Sequence, residues 1–125
     1  MNTSRIMRPL LLWLFPDISE ARIQLAHLVM RKAAHFTEYA ILGWLAARAF
    51  ATSSRDLLRR YWFSVALLLI VFQAALDEYH QSFVTTRTGS PYDSLIDIAG
   101  GLFGLTMFAY LRVRASGHRS ADIYR

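Results

Sequence analysis

The chain has 125 residues, of which 54% are apolar and only 18% charged, with a formal net charge of +5 and a positive mean hydropathy. That length suits one domain, because a second core would leave each half too small, and a water-soluble chain this short would struggle to hide so much apolar surface. The absence of cysteine excludes disulfides and thiolate chemistry, and the arginines border apolar runs instead of forming one basic face, so a membrane boundary explains the charge better than nucleic acid does.

In chain order, the first element is a preface over residues 1–31 that holds no full-length span. Its apolar run at 10–15 is short, is closed by Pro16 and has no small-residue cleavage site behind it, so it does not read as a signal peptide. Asp17 and Glu20 resemble a capping pair just after that proline. Ile18, Ala21, Leu25, Leu28 and Val29 then fall on one stripe, which predicts an amphipathic helix lying on the membrane surface. Residues 33–51 are mostly apolar and near the ~20 residues that cross a bilayer, giving a first span. Residues 61–76 give a second, with Tyr61 and Trp62 as interfacial anchors, and it continues helically into Asp77-Glu78-Tyr79-His80-Gln81. Residues 92–112 give a third. The linker 52–60 is polar and basic, the 82–91 loop is broken by Gly89 and Pro91, and the tail after Arg114 reads as frayed. The expected fold class is all-α: a small integral membrane helical bundle of three transmembrane helices behind a short interfacial helix. The expected organisation is preface 1–31, bundle 32–114 and flexible tail 115–125.

Three spans put the 52–60 linker and the C-terminus on one side. That side holds Arg55, Arg59, Arg60, Arg112, Arg114 and Arg119, so the positive-inside rule makes it cytoplasmic. Arg31, Lys32 and Arg87, with Arg5, Arg8 and Arg22 in the preface, blunt the asymmetry.

The chemistry lies in what the spans share. Lys32, His35, Glu38 and Tyr39 occupy one broad helix face at the start of the first span. The second span ends in Asp77, Glu78, His80 and Gln81, with Gln73, Asp77 and Gln81 in one row, and the third begins with Asp93 and Asp97, preceded by Arg87 in the loop. Three helices thus deliver ionisable groups to one leaflet, while the opposite halves hold almost none besides Arg48. The bland reading is stronger for Lys32, His80 or Asp93 taken singly, since a boundary residue snorkels into headgroups. Glu38 and Asp97 lie deeper, where a carboxylate costs about 2–3 kcal/mol on insertion scales and needs a partner. His35, Glu38, Asp77, Arg87 and Asp97 are expected to face one pocket. Gly100 and Gly104, with Gly101 beside them, form a small-residue stripe that lets the third span approach the other two closely.

Arg31-Lys32-Ala33-Ala34-His35-Phe36-Thr37-Glu38-Tyr39, then Asp77-Glu78-Tyr79-His80-Gln81, then Arg87-Thr88-Gly89-Ser90-Pro91-Tyr92-Asp93 with Asp97 and Gly101, resemble the three signature blocks of the VanZ-like membrane protein family. The resemblance covers about residues 31–105. It implies a bacterial membrane protein from a family whose namesake is associated with low-level teicoplanin resistance. It also implies that Lys32, His35, Glu38, Asp77, Glu78, Gln81, Arg87 and Asp93 act as a set. Family members usually carry a further membrane helix ahead of the first block; the shortness of that region here points to pairing with another copy.

Such a set can work in three ways. It can bind a divalent metal, His35 and Glu38 having the i, i+3 spacing of helical carboxylate sites, with Asp77, Glu78 and Asp93 as further ligands. It can run acid/base chemistry through His35, Glu38, Asp77 and Glu78 while Arg87 holds a lipid phosphate. Or it can bind a headgroup or antibiotic without turnover, through Lys32, Tyr39, Gln81, Arg87, Asp93 and Asp97. Motifs of zinc hydrolases, nucleophilic serines and phosphate loops are missing from the sequence. The leading reading is a multi-pass protein of the bacterial cytoplasmic membrane, C-terminus inside, that recognises a phosphorylated or glycosylated envelope lipid at the outer leaflet, with or without modifying it, or confers teicoplanin-type glycopeptide tolerance. Its partners would be membrane lipids or lipid-linked envelope intermediates and a second copy of itself, not nucleic acid. The alternative is a non-enzymatic binding or assembly protein whose charged cluster is a structural network; a transporter comes third.

Overall fold

The computed structural model describes the backbone of residues 4–83 and 91–122 and the side chains of residues 5–83 and 92–117. Among these residues every regular element is helical: α1 (Ser4–Leu14), α2 (Glu20–Ala51), α3 (Asp56–Arg60), α4 (Trp62–Ser82) and α5 (Pro91–Asp122). The chain divides into two compact units, Met1–Ala34 and His35–Arg125.

In the first unit, Pro16 stands two residues beyond α1, where it cannot continue a helix. The helix that follows is not opened by the Asp17 and Glu20 pair. Ser19 immediately precedes α2, and its hydroxyl accepts the Arg22 backbone N–H at 3.4 Å, so the serine is the N-cap. Glu20 points elsewhere and pairs with Arg8 of α1 at 3.2 Å. Met7 and Ile23 are buried, whereas Leu25, Leu28 and Val29 of the expected stripe are exposed, as are Leu10, Trp13 and Phe15. The preface therefore holds two helices where one was expected, and the second runs without a break through residue 31 as a single 32-residue helix.

The second unit contains the rest of α2 with α3, α4 and α5. Contacts along α4 and α5 run in opposite senses, from Glu78 with Ser94, through Ile70 with Gly101, to Trp62 with Phe108; the two helices are antiparallel. Contacts of α2 with α5 run in the same sense, from His35 with Asp97 to Trp44 with Phe108; these two are parallel. The shared core is Tyr39, Ala46, Ala47, Ala66, Ile70, Ala74 and Leu105. Alanine and glycine dominate this seam because the helices touch backbone to backbone. A Cβ placed on Gly100 would overlap the Phe36 carbonyl, and one on Gly104 would overlap the Ala40 carbonyl. The glycine stripe thus has the packing role its spacing predicts.

Three transmembrane helices were expected; among the described residues, two helices are long and apolar enough to cross a membrane, Trp62–Ser82 and Tyr92–Gly117. The 33–51 segment falls short because His35, Glu38, Tyr39 and Arg48 lower its hydropathy; it packs beside α5 instead of meeting the requirement itself. Only 17% and 28% of the two apolar windows are buried inside the chain. The core helix of a soluble protein would be mostly covered, whereas these leave Leu68, Phe72, Phe103 and Tyr110 exposed. At the other end, α5 continues through Arg114 to Asp122, so residues 115–122 are helical where a frayed tail was expected.

Candidate functional site

At the α5 N-terminal end of the second unit, three helices bring polar side chains together. Tyr39 of α2 is buried, and its hydroxyl donates to Asp77 Oδ2 of α4 at 2.5 Å. Gln73, one turn earlier on α4, reaches Asp77 Oδ1 at 3.5 Å, the outer limit of a hydrogen bond. Ser94 of α5 donates to Glu78 Oε2 at 2.9 Å. His35 Nδ1 lies 3.4 Å from Asp97 Oδ1, and Asp97 is 3% exposed.

Helical spacing explains this arrangement. His35 and Tyr39 are one turn apart and share a face of α2, as Gln73 and Asp77 do on α4, and Ser94 and Asp97 on α5. The glycines then hold α2 against α5 closely enough for the short Asp97 side chain to reach His35. Glu38, Asp77 and Asp93 lie near enough for their charges to act on Asp97. In a low-dielectric setting such a group of carboxylates attracts cations and hydrogen-bond donors and repels anions.

Asp97 is the most constrained of these residues. Its Oδ1 is within ion-pair reach of His35, but it accepts no hydrogen bond among the described residues. A buried carboxylate oxygen without a donor costs more than a made bond gains, so the site favours any group that can supply one.

The expected pocket is realised only in part. His35, Tyr39, Asp77 and Asp97 converge, and Asp93 is an electrostatic neighbour. Glu38 is within electrostatic range but its side chain is exposed, so it does not point into the buried centre. Glu78 turns to Ser94, Gln81 is half-buried, and Lys32 belongs to the first unit. Arg87 lies outside the described residues. Among the described residues no three histidine or acidic side chains gather closely enough to hold a metal ion. The candidate ligands His35, Glu38, Asp77, Glu78 and Asp93 do not form one close group of three or more. The reason is visible in the partners: Asp77 is turned to Tyr39, Glu78 to Ser94 and His35 to Asp97, while Glu38 faces outward. Two cavities lie away from this cluster, an apolar groove beside Trp44 and Phe103 and a crevice lined by arginines at the opposite end.

Ser94 is the site residue that the sequence reading passed over. Its position three residues before Asp97, on the same stripe of α5, was the available signal. Gln73 was visible as part of a row on α4, but nothing in the sequence marked which atom it would bond.

Neither a search of curated proteins nor a search of solved structures gives a significant match. A family model described as VanZ/LLP1 matches residues 2–112. That match takes in nearly the whole chain, including every block that carries the polar cluster, and the protein belongs to the VanZ/LLP1 family.

Proposed function

We propose that this is a cell-envelope membrane protein whose polar cluster receives the headgroup of a glycosylated lipid or glycopeptide, and that it contributes to glycopeptide tolerance of the teicoplanin type. Family membership and the two apolar helices support the envelope and membrane parts of this reading. The observation that carries the ligand class is Asp97: a buried carboxylate oxygen with no hydrogen bond among the described residues, inside a group of acceptors. Sugar hydroxyls and amines donate hydrogen bonds and suit such a site, whereas a phosphate brought against these carboxylates would be repelled. In the same reading Glu38, Asp77 and Asp93 supply the acceptor field, Tyr39 orients Asp77, and the arginines of α3 and of the C-terminal half of α5 lie on the cytoplasmic side.

The test is retention of a glucosyl diacylglycerol by the full chain in neutral detergent. Asp97→Asn should weaken retention by about tenfold, the worth of one charge-assisted hydrogen bond, and should remove any teicoplanin tolerance the wild-type chain gives a susceptible host. Undiminished retention in Asp97→Asn at matched expression overturns the assignment.

A second reading, an assembly protein held by a structural network, is favoured by the Tyr39–Asp77 and Ser94–Glu78 bonds, which satisfy two carboxylates from within the chain. It predicts that loss of these bonds lowers stability without any ligand being involved.

A further inference from the structure

The opposite end of the second unit has a different chemistry. A crevice of about 400 Å³ opens there, lined by Arg59, Arg60, Trp62, Arg112, Val113 and Ser116 among others. That volume lies within the ~300–1,000 Å³ range of small-molecule sites. Its guanidinium groups come from two elements, Arg59 and Arg60 from α3 and Arg112 from α5.

The arginines are not equivalent. Arg59 forms an ion pair with Asp56 and also donates to the Ser53 carbonyl at 3.4 Å. Among the described residues Arg59 alone of the crevice arginines is paired with a carboxylate, and Arg60 and Arg112 are not. Both are instead positioned by aromatic rings: Arg112 lies 6.0 Å from the centre of the Trp62 ring, and Arg60 lies 5.6 Å from that of Tyr61. Trp62 is fixed in turn by edge contacts with Phe63 and Phe108, each with centroids 5.6 Å apart. A guanidinium placed over a ring keeps its edge N–H groups available, and those groups match the oxygens of a phosphate.

We propose that this crevice binds the phosphate of an anionic phospholipid. Trp62 opens one apolar helix, and Arg112 lies near the end of the other, so the crevice sits where headgroup phosphates lie if the two helices span a bilayer. The crevice wall is also amphipathic. Trp62, Ala109 and Val113 continue it as apolar surface, which suits the glycerol ester and upper acyl chain and gives a free phosphate ion nothing. The proposal rests on the membrane reading of α4 and α5 and is independent of the polar cluster.

The full chain, purified in neutral detergent, is titrated with phosphatidylglycerol or phosphatidylcholine of the same chain length, and retained lipid is read by native mass spectrometry. Phosphatidylglycerol should be retained preferentially, and the double substitution R60Q/R112Q should weaken that retention by about tenfold or more. R5Q/R22Q removes the same charge from the first unit and should have little effect. Should R60Q/R112Q fail to fold, Arg112→Lys keeps the charge but loses the fork and the ring contact. A several-fold loss in that variant supports the site, and no loss overturns it. Equal retention of both lipids, an equal effect of R5Q/R22Q, or displacement of the lipid by equimolar inorganic phosphate would each overturn the proposal. Failure of the chain to float with vesicles of either composition would overturn the membrane reading itself.

Discussion

At the scale of single residues, the polar cluster separates two kinds of carboxylate. Asp77 is half-buried and takes its strongest bond from the Tyr39 hydroxyl. Tyr39→Phe removes that donor while preserving shape, leaving an oxygen short of a partner. We expect a loss of about 1–3 kcal/mol, read as a lower unfolding temperature in detergent. An unchanged melting curve would mean that the bond contributes no net stability. Glu38 is the opposite case. The sequence reading placed it deep enough to need a partner, yet its side chain is exposed. Glu38→Gln should therefore shift stability by no more than about 0.5 kcal/mol. A shift well beyond that would show that Glu38 has a partner the fold conceals. The sequence identified Tyr39 and Glu38 as candidates because each sits on the polar face of α2. It did not rank them, because neighbouring positions on that face differ in exposure by the rotation of the helix against α5.

At the scale of elements, the seam between α2 and α5 depends on glycine. Gly104 faces the Ala40 carbonyl and the Trp44 backbone N, and backbone atoms cannot swing aside as a side chain could. Gly104→Ala should thus force the helices apart and cost about 1–3 kcal/mol or more. The displacement should also lengthen the His35–Asp97 approach, which depends on the same close packing. Gly117, with open space around it, is the matched control: Gly117→Ala should be neutral or slightly stabilising, because alanine is the better helix former. Thermal unfolding of the two variants side by side checks both, and equal effects would refute the packing argument. The glycine spacing was legible in the sequence. That Gly101 would face Ile70 of α4 while its neighbours faced α2 was not, because a stripe reports periodicity but not its partner.

At the scale of the whole molecule, the antiparallel pairing of the two apolar helices brings Arg59 and Arg60 of α3, just ahead of α4, to the same side as Arg112 and Arg114 of α5. The chain contains no cysteine, so single introduced thiols report topology directly. A cysteine at Ser54 should resist an impermeant thiol reagent in intact cells, while one at Ser82, at the other end of α4, should react. The reverse pattern would place the polar cluster at the cytoplasmic leaflet and its ligand with it.

By itself the sequence determined the helical class, the apolar character of α4 and α5, and the gathering of ionisable groups at one end. Each follows from composition and from the fixed turn of a helix, which assigns residues to faces without reference to neighbours. The tertiary structure alone decided which donor meets which carboxylate. It gave Tyr39 to Asp77, Ser94 to Glu78 and His35 to Asp97, and left Asp97 Oδ1 without a hydrogen bond among the described residues. It also left Glu38 exposed. These pairings depend on the rotation and axial register of three helices, which are set where Gly100, Gly104 and Ile70 let the backbones and side chains close on one another.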